Sequence, residues 1–201
     1  MKRIGMWLIL VIMTVCLLAA CKDSGEGDSA ENAAVFSKKG SIRITSVEPF
    51  DEDLYSRKEL KSLIDSAVAK VGESSVSMES LEVKDNVCTL VMEYASSDAF
   101  VRFNEGVPFF YGTCRDAVAG GFDLSSLYGQ PSTVRSSRIM TAGKVQEYAD
   151  HMLIYVTSPQ KLYLPGEAVY VTANVRLEDK NNVAVLADSV SVSEPAILIL
   201  Q

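Results

Sequence analysis

Between Ser56 and Gly72 the chain carries an amphipathic helix pattern punctuated at both ends, and runs of alternating hydrophobicity stand on either side of it. Leu60, Leu63, Ile64, Ala67, Val68 and Val71 recur at the spacing of one helix face. Ser56 is a favourable N-cap with Glu59 three residues on, the pattern of a capping box, and Gly72 closes the helix. Before it, Gly40 to Val47 places Ile42 and Ile44 on one side and Arg43 and Thr45 on the other. After it, Met78 to Val83 and Val87 to Tyr94 flank Lys84-Asp85-Asn86 and read as a hairpin, with Cys88, Leu90, Met92 and Tyr94 on one face. A helix with one apolar stripe must bury it, and half-apolar strands are its natural cover.

The pattern continues in shorter pieces. Asp98 to Asn104 reads as a short helix capped by Ser96 or Ser97, with Phe100 and Phe103 inward, ended by Gly106-Val107-Pro108. Phe109-Phe110-Tyr111 is a short strand. Thr113 can cap another short helix, Cys114 to Ala119, stopped by Gly120-Gly121. Residues 120–144 are less regular, and a subdomain boundary is expected near 125–145. From there the pattern is β. His151 to Thr157 alternates weakly, and Lys161 to Leu164 leads into a turn at Pro165-Gly166. Val169 to Leu177 reads as one half-buried antiparallel strand. Asp179-Lys180-Asn181-Asn182 turns the chain, Val183 to Leu186 returns, and apolar Ala196 to Leu200 is expected to pair with the sheet. The expected fold is α+β: an antiparallel sheet with one long and one or two short helices, followed by a β-rich C-terminal part that extends or abuts it.

The first 21 residues have a different logic. Lys2 and Arg3 precede an apolar run from Ile4 to Leu18, and Leu18-Ala19-Ala20-Cys21 gives way to polar Lys22-Asp23-Ser24-Gly25. A charged start, an apolar run and small residues define a secretory signal, residues 1–20. A membrane-spanning helix wants about 20 apolar residues, and this run is shorter. A plain secretory signal needs no cysteine at this place, and Cys16 follows Met13-Thr14-Val15, a poor cleavage site. The segment resembles a bacterial lipoprotein signal. That resemblance implies that Cys21 carries the lipid and becomes the new N-terminus on the outer face of the cell membrane. Each buried CH₂ adds about 0.8 kcal/mol of membrane affinity, so two or three acyl chains anchor stably. Residues 22–34 are small and polar and read as a flexible tether spanning about 20 Å.

Removing residues 1–20 leaves 181 residues and takes away Lys2 and Arg3, moving the formal charge from −7 to −9. A chain of this size can bury a real core. An acidic surface argues against nucleic acid as a partner. Cys88 and Cys114 remain besides Cys21; in an exported chain they are candidates for one disulfide, and the competing expectation is two buried free thiols.

From Gly40 through Leu124 the features follow a definite order. Phe50-Asp51-Glu52-Asp53-Leu54-Tyr55 enters the helix, and the hairpin segment Ser80-Leu81-Glu82-Val83-Lys84-Asp85 follows. Then come Asp98-Ala99-Phe100, Phe103-Asn104, Phe110-Tyr111-Gly112-Thr113 and Gly121-Phe122-Asp123-Leu124. It resembles surface lipoproteins of Clostridia and related Firmicutes. The resemblance covers about half of the exported chain, implies a Gram-positive surface address and implies no activity.

No motif commits the chain to chemistry. His151 is the one histidine, and no Gly-x-Ser-x-Gly elbow accompanies it. Ser158-Pro159-Gln160-Lys161 matches Ser-x-x-Lys but precedes a strand rather than opening a helix. Asp51-Glu52-Asp53 lacks the glycine and closing glutamate of a calcium loop and reads as a solvated helix entry. Zinc wants Cys and His clusters, which are missing, so no metal and no cofactor is expected. Phe109, Phe110, Tyr111, Phe122 and Tyr128 crowd one stretch and are read first as core, second as stacking residues for sugar or peptide. The leading expectation is a lipid-anchored envelope protein that binds a protein or wall component without catalysis. The alternatives are a wall- or glycan-processing hydrolase using paired carboxylates, and a small solute-binding lipoprotein.

Overall fold

The computed structural model describes residues 31–129 and 140–201. The chain is α+β, with strands in two sheets and helices packed on them. The expected signal, Cys21 and most of the tether lie outside the described residues.

The first strand, β1 (Ala33–Phe36), starts within the segment expected to be tether. Ala34 is fully buried and Phe36 nearly so, while Val35 between them faces out. A four-residue apolar run is too short to register as periodicity, which is why Ala33 and Ala34 read as tether. β2 is Ile42–Pro49, and the helix α1 is Arg57–Val71, burying Leu60, Ile64 and Val68. Ser56 stands at its N-cap, yet its hydroxyl makes no capping bond, so the expected capping box is not formed. α1 is tied instead by Arg57, whose guanidinium donates to Leu81 O at 2.8 Å. β3 (Val76–Lys84) and β4 (Val87–Tyr94) form the expected hairpin, with Asp85 and Asn86 in the left-handed region at the turn. α2 (Ser97–Phe103) is capped by the Ser96 hydroxyl accepting from Ala99 N, and α3 (Cys114–Ala119) by Thr113 accepting from Asp116 N. Between them runs β5 (Phe110–Thr113).

β6 (Tyr128–Gly129) is a two-residue strand, and α4 (Ala142–Glu147), capped by Thr141, lies in the stretch that looked irregular. β7 (Met152–Val156), β8 (Lys161–Tyr163), β9 (Ala168–Val171), β10 (Val175–Glu178), β11 (Val183–Leu186) and β12 (Ala196–Leu200) follow. Sheet order is β10-β11-β8-β1-β2-β4-β3 in one sheet and β5-β7-β12-β9-β6 in the other. All pairs are antiparallel except β1 with β8.

The segment expected as one strand, Val169 to Leu177, is two strands in different sheets. The corner is built by Thr172 and Asn174. The Thr172 hydroxyl donates to Asn174 Oδ1 at 2.6 Å and accepts from Ile197 N at 3.1 Å, and Asn174 Nδ2 donates to Glu194 O and Pro195 O. These bonds satisfy the backbone at the bend and carry the chain from one sheet to the other.

One continuous core joins the inner face of the seven-stranded sheet (Phe36, Ile42, Ile44, Met92, Leu162, Ala184) to one face of the five-stranded sheet (Ile154, Val156, Leu198), with Leu60 and Ile64 of α1 and Phe100 and Phe103 of α2. A second cluster lies on the other face of the five-stranded sheet, where Leu153, Tyr170, Ile197 and Ile199 meet Cys114 and Ala117 of α3 and Leu127 and Met140. Residues before the irregular stretch supply β5 to the five-stranded sheet, the stretch itself supplies β6, and residues after it supply β8, β10 and β11 to the seven-stranded one. Both sheets therefore draw on both parts of the chain.

Candidate functional site

A groove of about 410 Å³ lies where five segments converge. Lys38 comes from the β1–β2 turn and Tyr111 from β5. Asp150, His151 and Met152 come from the entry to β7, Pro165 and Gly166 from the β8–β9 turn, and Leu200 and Gln201 from the end of β12 and the residue after it. Tyr111 is buried, its ring meets Phe36 edge-on at 5.0 Å, and its hydroxyl donates to Ser37 O at 2.9 Å. That bond ties the five-stranded sheet to the β1–β2 turn, and burial pushes the phenol pKa up. His151 is held through its backbone: its N–H donates to Tyr148 O and its carbonyl accepts from Cys114 N, both at 2.9 Å. Its ring packs on Tyr148 at 4.8 Å. Asp150 accepts from Arg115 at 2.7 Å. At Gly166 a Cβ would stand 2.4 Å from the carbonyl oxygen of Gln201, so only glycine permits this approach of the turn to β12.

The groove offers an ammonium (Lys38), an imidazole (His151), a carboxylate paired with a guanidinium (Asp150 with Arg115) and apolar wall from Met152, Pro165 and Leu200. Such a mixture can orient a ligand by a few hydrogen bonds over apolar contact. His151 precedes β7 and Ser158 follows it, so the length of a strand separates them. Lys161, the lysine of the Ser-x-x-Lys match, gives its ammonium to Glu31 at 2.9 Å and its pKa is raised chiefly by that bond.

The other sequence candidates fall elsewhere. Cys88 is buried in β4 within the core between the sheets, and Cys114 is fully buried at the start of α3 in the second cluster. Both are free thiols, so the candidate disulfide is not formed: the two side chains belong to different hydrophobic clusters. Burial raises both pKa values, that of Cys114 to about 12; at Cys88 the charge of Glu48 adds to the rise and Arg57 opposes it. Asp51, Glu52 and Asp53 are exposed and shape the entry to α1, Asp51 Oδ1 accepting from Asp53 N and Asp51 O from Tyr55 N, each at 2.9 Å. Glu52, Asp53 and Glu59 line a shallow hollow of about 450 Å³ there. Among the described residues there is no group of three or more His, Cys, Asp or Glu side chains placed to hold a metal ion. The aromatic stretch divides by strand parity. Phe109 and Tyr111 enter the core with Phe36 and Phe100, Phe110 packs against Phe122, whose ring meets Tyr155 edge-on, on the opposite face, and Tyr128 is exposed.

Sequence reasoning named His151, Tyr111 and the Pro165-Gly166 turn without joining them, and it missed Lys38 and Asp150. Nothing local marks those two, since a groove at a junction of five segments is a product of topology. Among the described residues no helix is long and apolar enough to cross a membrane. Compared with known proteins, the chain matches no protein family, no curated protein and no solved structure.

Proposed function

We propose that this chain is a lipoprotein held by Cys21 on the outer face of the cell membrane, and that it binds a wall component in the groove around His151 without catalysis. The observation that carries the anchor is the sequence Leu18-Ala19-Ala20-Cys21 behind a charged start and an apolar run, with polar residues directly after it. The resemblance of the Gly40–Leu124 stretch to surface lipoproteins of Clostridia type agrees with that address. Support for binding comes from the mixed lining of the groove. Support for a non-catalytic role comes from the work the acidic side chains already do: Asp150, Asp98, Asp65, Glu79 and Glu31 are in ion pairs, and Asp51 and Asp123 close local turns.

The test is co-sedimentation of the chain from Cys21 onward with purified wall fragments. The expected result is retention without release of soluble fragments, and at least tenfold weaker retention of a Lys38→Ala/His151→Ala variant. Soluble products would overturn the non-catalytic reading, and unchanged retention of the variant would remove the groove from it.

A further inference from the structure

We infer that β1 is the strand through which tension between the membrane anchor and a ligand in the groove enters the fold, and that it meets this tension in shear. The inference rests on the proposed anchor and groove for its biological sense; its geometry stands on the strands themselves. The tether joins β1 at Ala33, and the groove begins just past the other end of the strand, at Lys38. β1 lies inside the seven-stranded sheet, paired on one side with β2 from Ala33–Thr45 to Phe36–Ile42 and on the other with β8 from Ala33–Lys161 to Val35–Tyr163. Because β8 is parallel to β1, its far end leads directly into Pro165 and Gly166 of the groove wall. A pull on the tether, resisted by a ligand in the groove, acts along β1 and draws it past both neighbours, so the backbone bonds on both sides must give way together. A pull that loaded β1 and β8 at the same end would open them one pair at a time.

Each end of the strand is fastened. At the tether end, Asn32 Oδ1 accepts from Val47 N at 2.7 Å, Asn32 O accepts from Lys161 N at 3.0 Å, and the Glu31 carboxylate takes both the Lys161 ammonium and the Tyr163 hydroxyl. At the groove end, Phe36 is locked between Phe109 and Tyr111, and Ser37 O holds the Tyr111 hydroxyl. Ala34 in the middle is fully buried.

Single-molecule pulling on the chain from Cys21 onward tests this, with one handle on Cys21, since Cys88 and Cys114 are buried. The second handle goes on Glu167→Cys, exposed just beyond the groove end of β8, or on Ser158→Cys, exposed just before its tether end. Forced unfolding reads the unfolding barrier along the direction of pull. The Cys21–Glu167→Cys pair, which shears β1 against β8, should unfold at a force at least twofold higher than the Cys21–Ser158→Cys pair, which peels it. Equal forces, or the reverse order, would overturn the inference. The measurement uses no lipid, so a failure of the anchor would appear in cell fractionation and not here.

Discussion

The seven-stranded sheet and the five-stranded sheet share a core but live in different surroundings. The first has one face on that core and one face in solvent: across it run Glu178, Val183, Tyr163, Val35, Arg43 and Glu93 in register, with charge at the rims and apolar side chains in the middle. The second is covered on both faces, so every residue of β9 and β12 is buried. A sheet with one wet face writes a period of two into its sequence; a sheet with two dry faces does not. The same difference sets where substitutions hurt.

The largest effect is expected at the middle of the covered sheet. Leu198→Ala removes a fully buried side chain and should lower stability by about 2–5 kcal/mol in urea unfolding. A loss below about 1 kcal/mol would mean that β12 is not the closed centre described here. Alkaline pH separates the regions next. A thiol whose folded pKa is raised contributes stability that is complete below its unfolded value, near 9.0, and is lost as pH rises toward the folded one. Unfolding midpoints should therefore fall between about pH 9 and 12, and the fall should be shallower in Cys114→Ala, whose thiol is pushed to about 12 in the cluster outside the covered sheet. An identical pH profile in that variant would remove Cys114 from the explanation. The helices over the seven-stranded sheet come third. Ser96→Ala deletes a capping bond and should cost about 1 kcal/mol. Ser56→Ala deletes none and should stay within about 0.5 kcal/mol. Equal costs at the two positions would contradict the difference between the caps. The smallest effect belongs to the open face, where Val35→Thr, at a side chain 41% exposed, should shift stability by no more than about 0.5 kcal/mol.

What could be read in the sequence follows from the same contrast. The hairpin of β3 and β4, the stripe of α1 and the caps Ser96 and Thr113 are local signals, and they stand where expected. Val169 to Leu177 alternates through a corner because its polar-looking positions are not turned to water: Tyr170 enters the second cluster, and Thr172 is buried in the hydrogen bonds of the bend. α4 escaped notice because it is six residues long and has Gly143 in its first turn. β1 escaped because four residues are too few to show a period, and while β2 is its neighbour in sequence, its second partner β8 lies well over a hundred residues away, where no local pattern announces the pairing. The groove inherits that difficulty, since Lys38, His151 and Gly166 meet only once both sheets are complete.

Everything proposed for the function hangs on Cys21, and fractionation of cells expressing the whole chain or its Cys21→Ser variant tests it most directly. The account predicts the parent chain in the membrane fraction, released by detergent alone, and the variant in the soluble or secreted fraction. A variant that stays with the membrane, or a parent chain found free of it, would contradict the account.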